Sequence, residues 1–195
     1  MLNDYLSSIQ TLISDITNNV TELSYIDPNQ VAVNFKRSRE NVEEETWAEI
    51  TGLDAETTGA VQRREGRTER HFASKSLLLN GNPVKYIIDF YVPAFLKLSF
   101  KEKLSTVFHE LYHIAPKFDG NLRLFKGKSY KHGPSMERYD KYMEYLVDKY
   151  LVKFEDSEVL NFLKNNTDEL FTKTKEFVIP KLPKPEPLLY RVTWS

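Results

Sequence analysis

Three residues in one short run have the types and the spacing for metal-assisted hydrolysis. They are His109, Glu110 and His113, within Thr106-Val107-Phe108-His109-Glu110-Leu111-Tyr112-His113-Ile114. Positions i and i+4 of an α-helix share a face, so the two imidazoles can converge on one metal ion. Glu110 is turned about 100° from His109. It does not ligate from there, but its carboxylate reaches a water bound to the ion. Zinc lowers the pKa of that water from about 15.7 to near 7, where a carboxylate can take its proton. Lewis acid, nucleophile and general base are thus assembled within five residues. Two imidazoles and a carboxylate are costly to bury in an apolar helix without a purpose, which argues against histidines that merely fill a core.

The surrounding residues supply the elements that must hold this run. Leu104, Val107, Phe108, Leu111, Tyr112 and Ile114 give it the broad apolar surface of a buried helix. Ser99 followed by Glu102 reads as a capping box at its start. Pro116 prevents a long continuation. Residues 85–92 read as a strand immediately before it. Asn80-Gly81 between residues 76–79 and that strand predicts a β-hairpin, whose second arm enters the metal helix through Pro93 and Ser99.

Upstream, Leu6, Ile9, Ile13, Ile16, Val20 and Leu23 alternate in steps of three and four. That predicts an amphipathic helix of about twenty residues, lying across a sheet or pairing as a short coiled coil. Asp27-Pro28-Asn29 turns the chain, and residues 31–35 alternate as a half-buried strand. Residues 36–45 read as a charged loop or solvated helix. Residues 47–50 fit either a strand or a helical turn. Residues 57–62 read as a strand, and Arg63 to Arg70, with interleaved Arg and Glu, as an exposed loop. Met136, Tyr139, Met143, Leu146 and Tyr150 recur at helical spacing behind Ser135, and residues 157–171 predict a further helix. The expected class is α+β: a small sheet, a long N-terminal helix, the His-Glu-x-x-His helix and C-terminal helices. The expected domain spans residues 1–179. Residues 180–195 form a proline-rich tail that either packs on the body or offers a partner a handle.

Composition narrows the ligand set. The chain has 195 residues, 41% of them apolar, enough for one domain with a sizeable core. There is no cysteine, so any metal ligand is His, Asp or Glu. The four histidines are His71, His109, His113 and His132. His71, far from the motif in sequence, reads as a surface or structural residue. A catalytic zinc takes three protein ligands and keeps one position open. His132, before the next helix, and Asp119, six residues beyond His113, both qualify as the third. His132 is the favoured one: the loop from His113 is long enough to turn back, and Pro134 and Ser135 fix the chain before the next helix, whereas Asp119 has the spacing of metzincin-type sites, whose motif it resembles except that Pro116 stands in place of the glycine. Tyr130, Tyr139 and Arg123 lie near the ligands in sequence as donors to a developing oxyanion, with Tyr139 preferred. A net charge of −1 argues against bulk attraction to nucleic acid or membrane. Asp4 and Asp15 interrupt any secretory apolar segment, and no run is long enough to span a bilayer. The expectation is a cytoplasmic protein.

At these residues the sequence resembles zincin metallopeptidases. It is similar to the phage metallopeptidase family, through His109-Glu110-Leu111-Tyr112-His113-Ile114 and then Phe118-Asp119-Gly120-Asn121-Leu122-Arg123. The segment His132-Gly133-Pro134-Ser135 resembles the third-ligand region of SprT-like proteins. The aromatic expected just after His-Gly in that group is displaced to Tyr139, and its four-cysteine module cannot exist here. The resemblance implies zinc bound by His109, His113 and His132, with Glu110 as general base. It also implies a sheet whose edge strand precedes the active helix, to which an extended peptide substrate would add at residues 85–92. One rival reading is a protease specific for a single regulator, like the repressor-cleaving enzymes of mobile elements. The other is a non-catalytic, zinc-stabilised binding module, in which Glu110 would have no use.

Overall fold

The computed structural model describes residues 2–37, 46–53, 61–65, 68–74, 77–79, 81–125, 135–164 and 187–194. The N-terminal apolar stripe folds as helix α1, Leu2–Asn19, and continues into a 3-10 turn, Thr21–Leu23, that buries Leu23. Asp27 caps the next turn by accepting the Asn29 N–H at 3.0 Å. The chain then enters strand β1, Val31–Arg37, followed by β2, Ala48–Gly52. Residues 47–50, ambiguous in sequence, are therefore mainly strand. Strands β3, Val61–Glu65, and β4, Thr68–Ser74, pair antiparallel. This corrects the reading of Arg63 to Arg70 as a loop at residues 63–65 and 68–70; residues 66–67 lie outside the described residues. Charge density does not forbid a strand whose backbone is paired on both sides, and β4 also pairs with β8, Pro187–Trp194.

The Asn80-Gly81 signal falls at a hairpin, but a small one, and Asn80 itself lies outside the described residues. The hairpin joins β5, Leu78–Leu79, to β6, Asn82–Pro83, with Gly81 at positive φ. The long strand β7, Tyr86–Val92, is not the hairpin's second arm. It lies at the centre of a three-stranded sheet ordered β1-β7-β2, parallel to β1 and antiparallel to β2. This corrects the expectation of an edge strand at 85–92. A run as continuously apolar as Tyr-Ile-Ile-Asp-Phe-Tyr-Val belongs to a strand covered on both faces. Tyr86, Ile88, Phe90 and Val92 are all buried, while Asp89 on the alternate face accepts from Asn34 Nδ2 at 2.8 Å and pairs with Lys36 Nζ at 2.7 Å.

From β7 the chain passes through the short helix α2, Ala94–Lys97, into α3, Phe100–Tyr112, the helix with the His-Glu-x-x-His run. Its capping box is formed as predicted: Ser99 N–H donates to Glu102 Oε2 at 2.8 Å, and Glu102 N–H donates to Ser99 Oγ at 3.4 Å. Ser135 caps α4, Met136–Phe154, through the Arg138 N–H. A 3-10 turn, Glu158–Leu160, and α5, Asn161–Lys164, follow; residues 165–171 of the predicted last helix lie outside the described residues. One buried cluster joins the apolar faces of α1, β7, α3 and α4. The architecture is α+β, with α3 between the sheet and α4. Among the described residues no helix is long and apolar enough to cross a membrane.

Candidate metal centre

Helix α3 buries Leu104, Val107, Phe108 and Leu111 completely. That fixes its rotation and turns His109 and His113 to one side. Their Nε2 atoms stand 3.0 Å apart, with ring centroids at 4.7 Å. Two nitrogens bound to one tetrahedral zinc at about 2.0–2.1 Å each would lie roughly 3.3 Å apart. The observed spacing is close to that, so the pair fits a shared ion. Glu110 is buried at 6% exposure and His113 at 7%, on the helix beside a cleft of about 870 Å³. Trp47 and Ala48 at the start of β2, Thr106, His109 and Glu110 on α3, and Met143 on α4 line that cleft. The two walls therefore come from the edge strand and from α4, with α3 as the floor.

Tyr139, predicted from sequence, is brought to the pair. Its ring lies 4.9 Å from that of His109, edge-on, and 5.6 Å from that of His113, nearly parallel. Its hydroxyl donates to the His109 carbonyl at 3.3 Å. Burial pushes the phenol well above the ordinary tyrosine value, and the charge of Glu110 pushes it further. The phenol therefore stays protonated at neutral pH.

Arg123 is placed differently from its sequence reading. Its Nε donates to the Tyr112 carbonyl at 2.8 Å, its Nη2 to Tyr25 Oη at 2.8 Å, and its Cζ lies 4.0 Å from the centre of the Tyr112 ring. It serves the end of α3 instead of facing a reacting carbonyl. Tyr25 belongs to the same arrangement and carried no sequence signal, because it is far from the motif along the chain. The loop that delivers Arg123 is pinned to the start of β7 and the residue before it: Lys85 Nζ donates to Phe118 O at 3.0 Å, the Gly120 N–H to Tyr86 Oη at 3.0 Å, and Tyr86 Oη to Asn121 O at 2.9 Å. Gly120 has positive φ, and a Cβ on Gly52 would collide with its carbonyl oxygen, so both positions require glycine.

Asp119 lies exposed in this loop and accepts the Asn121 N–H at 3.2 Å, which lowers its carboxyl below the usual range. Among the described residues no three His, Asp or Glu side chains are grouped to hold an ion, so Asp119 does not join the imidazole pair. His132 and Tyr130 lie outside the described residues. His71 falls on β4, in register with Gln62 and Arg191, in the sheet separate from β1-β7-β2.

The family model described as "Putative phage metallopeptidase" matches residues 6–150, from α1 through most of α4. No curated protein and no solved structure matches the chain.

Proposed function

The chain belongs to the phage metallopeptidase family, and on that premise we propose that it hydrolyses peptide bonds with one zinc ion held by His109, His113 and His132. The observation that carries this reading is the 3.0 Å convergence of the two imidazole nitrogens, with a buried carboxylate as the next residue. The family implies a metal. The donor chemistry of two or three imidazoles suits zinc. When bound, zinc supplies Lewis-acid polarisation of the scissile carbonyl and acidifies water. Glu110 takes the proton from the attacking water and passes it to the leaving amine.

Among the described residues the edge strand beside the cleft is β2, not β7. An extended peptide or protein substrate would therefore pair with the backbone of β2, its side chains alternating between Trp47 and solvent. The experiment that tests the reaction is Glu110→Gln. The expected variant holds zinc as the wild type does and loses hydrolysis by about 10²–10⁴-fold. Hydrolysis at the wild-type rate would remove Glu110 as the base. A wild-type protein that holds zinc and cleaves no peptide would reduce the metal to a support for the fold.

A further inference from the structure

His113 is the C-cap of α3, and helix ends fray because their last carbonyls lack intrahelical donors. A metal ligand at such a position needs fixing from outside the helix. Here every carbonyl from residue 109 to 114 has a donor. The His113 N–H is shared between His109 O at 3.3 Å and Glu110 O at 3.2 Å, and the Ile114 N–H meets Leu111 O at 3.1 Å. Beyond that the donors are no longer helical. Arg123 Nε reaches Tyr112 O at 2.8 Å, and the Arg123 N–H reaches His113 O at 2.6 Å. Tyr25 Oη donates to Ile114 O at 2.8 Å while accepting from Arg123 Nη2 at 2.8 Å. Two residues thus close three successive carbonyls that bracket the second histidine. The guanidinium is well suited to this: it is permanently charged, its planar fork serves two acceptors, and a cation is favoured at a helix C-terminus.

We propose that Arg123, acting with Tyr25, is the positioning residue that holds His113 in its metal-ligating orientation. It touches neither the substrate nor the ion; it acts through the backbone of the ligand. The inference rests on the metallopeptidase reading. A cap that served stability alone would change the melting temperature and leave the affinity of the folded protein for zinc unchanged. A positioning residue changes that affinity.

The test is the zinc dissociation constant, measured by competition with a chromophoric chelator at a temperature where circular dichroism shows each protein folded. Arg123→Gln is expected to bind zinc about 10–100-fold more weakly than the wild type, the range seen when an outer support of a ligand is lost. Tyr25→Phe removes a single hydroxyl and is expected to lose about tenfold; it decides the matter if Arg123→Gln does not fold. Tyr150→Phe is the control. It breaks the bond from Tyr150 Oη to Asp15, between α4 and α1 and away from this helix end, and is expected to keep wild-type affinity. Wild-type affinity in folded Arg123→Gln and Tyr25→Phe would overturn the inference, as would an equal loss in Tyr150→Phe. A wild-type protein that takes up no zinc would overturn the metallopeptidase reading and this inference with it.

Discussion

Tyr139 shows how much one residue can contribute without ligating. Its ring packs against both imidazoles, and its hydroxyl makes a long bond, 3.3 Å, to the His109 carbonyl. Because burial and the Glu110 charge keep the phenol protonated, it can donate throughout the neutral range. We propose it as the second donor to the developing oxyanion. Tyr139→Phe is then expected to keep its zinc and to lower kcat by about 10²–10³, the cost of removing one such donor. A Tyr139→Phe enzyme with wild-type kcat would leave the ring as packing alone. At this scale the histidine pair and Glu110 were legible, because i and i+4 spacing dictates convergence on any helix. Arg123 stood in the sequence only as one of three nearby candidate donors, because proximity in sequence does not say which acceptors a guanidinium will find. Its acceptors are backbone carbonyls, which leave no trace in a residue pattern.

The elements divide along the same line. The start of α3 was readable because a capping box is a local pattern, four residues long, whose hydrogen bonds form within itself. It also makes a pH-dependent prediction. Hydrogen bonds from Ser99 lower the Glu102 carboxyl below its usual 4.5. A carboxyl lowered by folding adds stability above its unfolded value, and that contribution disappears as pH falls through the folded value. Ser99→Ala removes the side-chain oxygen that accepts the Glu102 N–H and should cost about 1 kcal/mol at neutral pH in urea unfolding. The gap between variant and wild type should narrow below about pH 4.5; a gap that widened on acidification would contradict the cap. The position of β7 in its sheet was not readable in the same way. Pairing on both sides involves β1 and β2, separated from it by most of the intervening chain. Only the near absence of polar residues in the run hinted that both faces were covered. Likewise Arg64 stands in register with Glu69 on the partner strand, a relation that composition alone presents as a solvated loop.

For the whole molecule, the site depends on contacts that span the chain. Tyr25 follows α1, Arg123 arrives on the loop after α3, and both meet at the end of the metal helix. Lys85, just before β7, and Tyr86, at its start, hold that loop. The α+β class was legible from alternating and helical periodicities. The meeting of Tyr25 and Arg123 at one helix end was not, because it is a property of packing. The family match ends within α4, so it includes every one of these contacts and also spans the His132 segment. The most direct test of the central claim is the zinc content of the purified protein, measured beside His132→Ala and Asp119→Ala. A site made by His109, His113 and His132 predicts about one zinc per chain in the wild type and in Asp119→Ala, and none retained in His132→Ala. Full zinc in His132→Ala, or no zinc bound by the wild type even when it is supplied, would contradict it.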